Sequence, residues 1–328
     1  MKVLLIGGSG NISSACTNEA IRAGHQIIHF NRGISHTYSF DKSVTTIIGD
    51  INKPADRELI RKYGPFDVVA DFICYSPQHM KDDIAFFTGL TDQFIFISSA
   101  TVYKKPPDHY IITEECPLEN RYWQYSQNKI LCENLLTSQN ELTYTIVRPS
   151  YTYGYTWLPV AFTAREYNPV YRIRKGLPLI SHGDGESLWV MTHNTDFARA
   201  FTGLFGNKKA MNNHFHITSD GVMTWDYIYK TYGKLTGIEP ILVHIPSDFI
   251  NEHNTEWGAA LLGDKTRSMV FDNSKIKSVV PGWQAKKSFE EGIRESIAWF
   301  ESDEKRMKPD MEIEEKTDYI INTYQKTR

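Results

Sequence analysis

Tyr125 and Lys129 stand four residues apart in Trp123-Gln-Tyr-Ser-Gln-Asn-Lys129, inside a segment, 123–136, that reads as a helix. At i and i+4 both side chains leave one helix face. A cation held beside a phenol favours the phenolate and lowers its pKa from about 10 toward neutrality. Such a hydroxyl can exchange a proton with an alcohol or ketone oxygen. The spacing alone is common, and a pair of surface side chains would produce it as readily. A third group sharpens the reading. Phe94-Ile-Phe-Ile-Ser-Ser99-Ala-Thr101-Val-Tyr103 is an apolar strand ending in clustered hydroxyls. A parallel strand delivers such residues to the carboxyl edge of its sheet, where ligands bind in open α/β architectures.

The second chemical signal lies at the start of the chain, where Lys2-Val-Leu-Leu-Ile6 runs into Gly7-Gly-Ser9-Gly10-Asn11-Ile12-Ser13. A strand turning tightly into a helix needs glycine where the backbone approaches a phosphate, and the helix N-terminus favours the anion. Gly7 and Gly10 fill those roles, and Ser13 takes the third small position, so Gly7, Ser9, Gly10, Asn11 and Ile12 are candidate dinucleotide contacts. At the end of the second strand an acidic residue would bind the ribose hydroxyls of NAD and repel a 2′-phosphate. Asn31-Arg32-Gly33 stands there instead. Asn31 carries no repelling charge and Arg32 offers a planar fork suited to phosphate, which favours NADP over NAD unless Arg32 is only a surface side chain. Asp50 and Ile51, just past the third strand, either touch the adenine or, for Asp50, cap the turn before Pro54.

The elements that must position these residues follow from the apolar pattern. Short β-rich runs at 3–6, 26–30, 44–48, 66–72, 94–98 and 144–147 alternate with helical segments at 12–23, 55–63 and 77–87. Ser76 before Pro77 is an N-cap followed by a proline at the first helical position. Continuous apolar strands separated by helices mean βαβ units and a parallel sheet covered on both faces. Right-handed crossovers then give an α/β fold with a Rossmann-type doubly wound parallel sheet. After about residue 155 the rhythm changes. A helix is expected over 157–176, then the turn-rich 179–185, a helix at 195–205, a strand at 214–217 and a helix at 224–234. The expected division is a nucleotide-binding domain over 1–155 completed by about 190–220, and a smaller C-terminal substrate lobe from 156–189 and 221–300. The charged stretch 301–328 reads as a solvated helix or tail.

Composition sets the outer bounds. The 328 residues carry a net charge of −3, which gives no support for a polyanion partner, so nucleic acid is not expected. Cys16, Cys74, Cys116 and Cys132 show no CxxC or CxxH spacing, so neither a metal site nor a disulfide scaffold is indicated. Reduced thiols suit a cytoplasmic location. The first apolar run stops at two glycines, too short for a secretory signal. No segment approaches the roughly 18 apolar residues that span a bilayer, so no membrane partner is expected.

Glycine loop, strand-end serines and Tyr/Lys helix in this order resemble the extended short-chain dehydrogenase/reductase superfamily, the NAD(P)-dependent epimerases and dehydratases. Arg148-Pro-Ser-Tyr-Thr-Tyr-Gly154, Gly183-Asp-Gly185 with Thr192-His-Asn-Thr-Asp196, Phe271-Asp-Asn-Ser-Lys275 and Pro281-Gly-Trp283 with Phe289-Glu-Glu-Gly292 extend the likeness to about residue 300. Phe30-Asn-Arg-Gly33 looks most like a branch with epimerase-like bacterial proteins and chloroplast stem-loop-binding proteins. The resemblance implies a catalytic set of Ser99, Tyr125 and Lys129. Tyr125 would exchange the substrate proton, Ser99 would bond the same oxygen, and Lys129 would hold the nicotinamide ribose. Pro149 would lie near the carboxamide and Thr101 near the substrate. It also implies a small-molecule carbohydrate substrate, epimerised through a transient keto intermediate, and a homodimer formed through helices beside the catalytic one. Two positions depart from the nucleotide-sugar members. Tyr151 stands where an asparagine is usual, and Trp189 where an arginine grips the diphosphate, which argues against a standard nucleoside-diphosphate grip. Tyr151, Tyr153, Tyr155, Trp157 and Trp189 either stack on a sugar ring or form an aromatic core between lobes. A reductase or dehydratase on a similar substrate is the nearest alternative, though Ala100-Thr101 after Ser99 lacks the Asp-Glu pair a dehydratase usually needs. A nucleotide-sensing or RNA-binding protein that keeps the fold without turnover is the alternative from another class.

Overall fold

In the computed structural model, which describes residues 1–35 and 37–327, seven parallel strands form one Rossmann-type sheet. Across it they run Asn213–Ile217, Tyr144–Pro149, Thr91–Ile97, Phe66–Asp71, Lys2–Ile6, Gln26–Asn31 and Thr45–Ile48. Val3, Leu4, Leu5 and Ile6 are wholly buried, as expected of a central strand covered on both faces. The chain builds outward from Lys2–Ile6 to one edge and then returns to extend the other. The order therefore reverses between Lys2–Ile6 and Phe66–Asp71, where Ile6 is in register with Asp71. A crevice opens beyond the strand ends at such a reversal.

Helices cover both faces. Asn11–Arg22 packs against Asn194–Thr202 on one side, and Pro77–Phe87 packs against Gln124–Thr137 on the other. Ser76 caps Pro77–Phe87 by accepting from His79 N at 3.2 Å. The segment read as one helix over 55–63 is a short α turn, Pro54–Arg57, continued by a 3₁₀ turn, Glu58–Tyr63.

The rest of the chain folds over the carboxyl edge. Tyr151–Tyr153 pairs in parallel with Leu188–His193, which pairs antiparallel with Val222–Thr224. Leu179–His182 pairs with Leu242–Ile245, and Ile111–Ile112 with Val270–Phe271. The expectation of a helix over 157–176 is corrected: only Asn168–Arg174 is helical. Pro159 cannot donate to a helix ladder, and Leu158 N to Ala164 O (2.7 Å) with Val160 N to Thr163 O (3.0 Å) folds the preceding stretch into a closed loop.

The charged C-terminal stretch forms a helix, one of the two expected forms, but a docked helix instead of a solvated one. Met311–Gln325 is a helix capped by Asp310, and Thr317, Ile320 and Ile321 are buried beneath it. With half-buried Ile313 they recur at i, i+4, i+7 and i+8, one apolar stripe among many charges. Glu314 on the same face is buried and pairs with Arg172 at 2.8 Å. Arg328 lies outside the described residues.

Candidate active site

The helix Gln124–Thr137 and the strand Thr91–Ile97 bring Ser99, Tyr125 and Lys129 together. Arg148 fixes the helix to the sheet. Its guanidinium grips Glu133 with two bonds, 3.0 and 2.6 Å, and reaches Tyr103 Oη and the Glu114 carbonyl at 3.2 Å each. Ser99 follows the strand end and accepts from Thr101 N at 3.3 Å. The Lys129 ammonium is buried and donates to the Cys74 carbonyl at 2.8 Å and the Ile97 carbonyl at 2.7 Å. It also lies 4.7 Å from the Tyr75 ring centre and 5.8 Å from that of Tyr125.

The electrostatics correct one expectation. The Tyr125 phenol is pushed well above its ordinary pKa, first by burial and then by neighbouring Tyr75, with a hydrogen bond from Ser99 pulling the other way. The Lys129 ammonium directs its hydrogen bonds to main-chain carbonyls, with its charge 5.8 Å from the Tyr125 ring centre. Burial holds the Lys129 ammonium itself below the usual lysine range. In this state Tyr125 is a protonated phenol, a potential hydrogen-bond donor to a substrate oxygen.

Behind Lys129 lies a buried polar cluster that linear spacing did not disclose. His79 Nε2 is 3.1 Å from Asp71 Oδ2 and 3.4 Å from Asp83 Oδ2. Burial would depress the imidazole, but bonds to and charges on the two carboxylates outweigh it and raise it to about 10. Burial and the Asp71 charge raise Asp83, whereas His79 holds Asp71 low against its own burial. Cys74, His79 and Asp83 place one ligand-type atom each within 4.8 Å of one another.

At the topological reversal a groove of about 430 Å³ is lined by Gly7, Ser9, Gly10, Asn31, Arg32, Asp50, Ile51, Ile73 and Tyr75. Gly7 has φ of 76°, and a Cβ there would sit 2.6 Å from Ile73 Cγ2, so no other residue keeps this turn unstrained. Ser13 Oγ donates to Gly7 O at 2.7 Å and accepts from Gly10 N at 2.8 Å, holding the loop at the helix start. These features fit a dinucleotide: a strand-to-helix glycine turn and, among the described residues, a buried Asn31 Oδ1 with no partner and an exposed Arg32 with no hydrogen bond or ion pair. Asp50 caps its turn by accepting from Asn52 N at 3.1 Å, and that bond keeps its carboxyl low; it lines the groove as well.

Other candidate residues fall elsewhere. Asn11 turns its side chain to the Thr152 carbonyl at 3.0 Å, and Ile12 packs on the core, so neither side chain lines the groove. Pro149 ends its strand at the carboxyl edge. Thr101 is buried with Oγ1 lacking a partner. Tyr151 is half-buried, and its one hydroxyl proton lies between the carbonyls of Val160 (2.9 Å) and Thr163 (3.1 Å). Trp189 is 1 % exposed and packs on Trp225 at 5.4 Å, so it belongs to the lobe core and does not stack on a ligand. Tyr153 is likewise core, whereas Tyr155 is 38 % exposed. Three residues of the cleft were not singled out from sequence: Tyr75, 6.3 Å from the Tyr125 ring, Trp123, 5.1 Å from it, and Lys265 beside Trp123. Tyr75 carried a usable signal, since it follows closely on a parallel strand.

A family model described as the NAD dependent epimerase/dehydratase family matches residues 3–218. The chain is 29% identical over 269 residues to the chloroplast stem-loop binding protein of 41 kDa b from Arabidopsis thaliana, spanning 76% of this chain and 67% of that protein. An epimerase from Methanothermobacter thermautotrophicus superposes with a TM-score of 0.73 at 19% identity, covering 92% of each chain. The UDP-glucuronic acid 4-epimerase of Bacillus cereus, solved with UDP-glucuronic acid and NAD, superposes with a TM-score of 0.72 at 16% identity, covering 92% of this chain and 99% of that one.

Proposed function

The chain belongs to the NAD dependent epimerase/dehydratase family, and we propose that within it the protein is an epimerase of a sugar or sugar nucleotide, acting through a transient keto form of its substrate. It is an NAD(P)-dependent enzyme of the extended short-chain dehydrogenase/reductase type. What supports the finer reading is the joint position of Ser99, Tyr125 and Lys129 beside the groove of Gly7 and Gly10. When bound, the nicotinamide would accept hydride from the substrate carbon and return it to the keto form. Tyr125 holds the proton that the substrate oxygen gains or loses, and Ser99 orients that phenol. Lys129, with two donors committed to Cys74 and Ile97, keeps one for a ribose hydroxyl. Arg32, exposed and near only the Asp50 charge among the described residues, favours NADP over NAD. The lobe of 156–189 and 221–300 supplies the substrate surface, and the enzyme works in the cytoplasm.

The test is incubation of UDP-glucose and UDP-glucuronic acid with catalytic enzyme while following epimer formation and reduced-nicotinamide absorbance. Epimer without net cofactor change is expected. Stoichiometric consumption of reduced cofactor would replace the epimerase by a reductase. A second reading, RNA binding without turnover, draws on the name of the chloroplast relative. It would win if Tyr125→Phe left biological activity intact while RNA bound with steep salt dependence.

A further inference from the structure

Lys265 ends a π-helical turn, Leu261–Lys265, a rare geometry that recurs at functional sites. The turn is seated against the entry to the catalytic helix. Asn120 Nδ2 donates to the Gly263 carbonyl at 2.6 Å and to the Thr101 carbonyl at 2.9 Å. A Cβ at Gly263 would lie 2.8 Å from Trp123 Cβ, so the backbone approach is as close as glycine permits. The ammonium of Lys265 then lies 5.6 Å from the Trp123 ring centre and 5.7 Å from that of Tyr151. Trp123 in turn touches Tyr125. The cation thus stands one aromatic ring away from the proposed proton donor.

Among the described residues the Lys265 ammonium has no hydrogen-bond acceptor and no ion pair. The adjoining carboxylate, Asp264, lies 3.5 Å from the buried ammonium of Lys105. Two ammoniums share one carboxylate, which leaves one positive charge in excess. Burial lowers the pKa of both lysines. Lys265 is half-buried, and an ammonium partly withdrawn from water is costly until an anion meets it; aromatic faces offset only part of that cost. A neutral sugar would be served by Trp123 and Tyr151 alone; the unpaired charge has no use there.

We propose that Lys265 is the anion anchor of the substrate cleft, so the substrate carries a carboxylate or phosphate that sits against Trp123 and Tyr151. The proposal rests on the Tyr125 cleft being the substrate site. Its test is calorimetric titration of the full chain, at low and high salt and with NADP+ present, using UDP as the phosphate probe and sodium glucuronate as the carboxylate probe. The expected result is binding of at least one probe, weakened by salt. Lys265→Gln then loses about tenfold or more in affinity, the scale of one lost charge-assisted hydrogen bond. Lys265→Arg retains binding, and thermal midpoint and NADP+ affinity stay unchanged in both variants. The probe that binds tells phosphate from carboxylate. Binding of neither probe to the unaltered protein, or equal binding by Lys265→Gln, overturns the anchor while intact NADP+ binding leaves the enzymatic reading standing. Lys265-dependent anion binding without any NADP+ or NAD+ binding would instead support the anchor and refute the enzymatic reading.

Discussion

Lys129, proposed to hold the nicotinamide ribose, also ties two elements of the fold together, and Lys129→Met measures that structural part. The ammonium is 1 % exposed and bridges the carbonyl of Cys74, beyond the fourth strand, to that of Ile97, which ends the fifth. Hydrogen bonds to a charged group contribute ~1.5–3 kcal/mol each, so the two bonds together represent ~3–6 kcal/mol. Methionine fills much of the same volume but leaves both carbonyls unpaired. It also removes the cost of burying the charge, which offsets part of the loss. A net destabilisation of ~2–4 kcal/mol follows. Urea unfolding at neutral pH, with an unchanged slope, measures it as a lower midpoint. The pH dependence has a definite sign. The folded-state pKa lies below the unfolded value, so above it the unfolded chain binds more protons and unaltered protein gains stability as pH rises toward 10.5. That gain is absent from Lys129→Met. A loss below about 1 kcal/mol would refute the bridging role, because it is smaller than the cost of one orphaned buried carbonyl.

If Arg32 meets the 2′-phosphate, Arg32→Ala weakens NADP+ about 10- to 150-fold in a binding titration and leaves NAD+ nearly unchanged. Glu314→Ala leaves Arg172 buried with only Asp318 and the Pro178 carbonyl, costing about 3 kcal/mol in urea unfolding; an unaffected midpoint would show that the C-terminal helix is not docked through this pair. His79 has its pKa raised from 6.5 to about 10, so its stabilising contribution is complete below pH 6.5 and fades as pH rises through about 10. Urea midpoints at pH 6, 8 and 10 should therefore fall more steeply for the unaltered protein than for His79→Gln.

The sheet was legible because parallel strands buried on both faces are written as continuous apolar runs. Pro77–Phe87 had the expected bounds because Ser76 and Pro77 mark its start chemically. Residues 157–167 were misread because aromatic density without a cap signal does not distinguish a helix from a packed loop, and Pro159 settled it against the helix. The C-terminal helix was undervalued because four apolar-facing positions are diluted by charges; only their spacing showed the docked stripe. The convergence of Ser99, Tyr125 and Lys129 was readable from type, order and position on their elements. Trp189 was not, since an aromatic side chain on a strand does not state which face it takes. Lys265 was invisible for another reason: the turn that carries it meets Trp123 only after the lobe closes over the sheet.

The proposed reaction turns on the Tyr125 phenol moving the substrate proton beside a bound NAD(P). Tyr125→Phe keeps the ring and removes only the hydroxyl. With the epimerisation assay running on a substrate that the unaltered enzyme converts, turnover is expected to fall about 100-fold or more, with NADP+ affinity and unfolding midpoint unchanged. Turnover within a few-fold of the unaltered enzyme would contradict it.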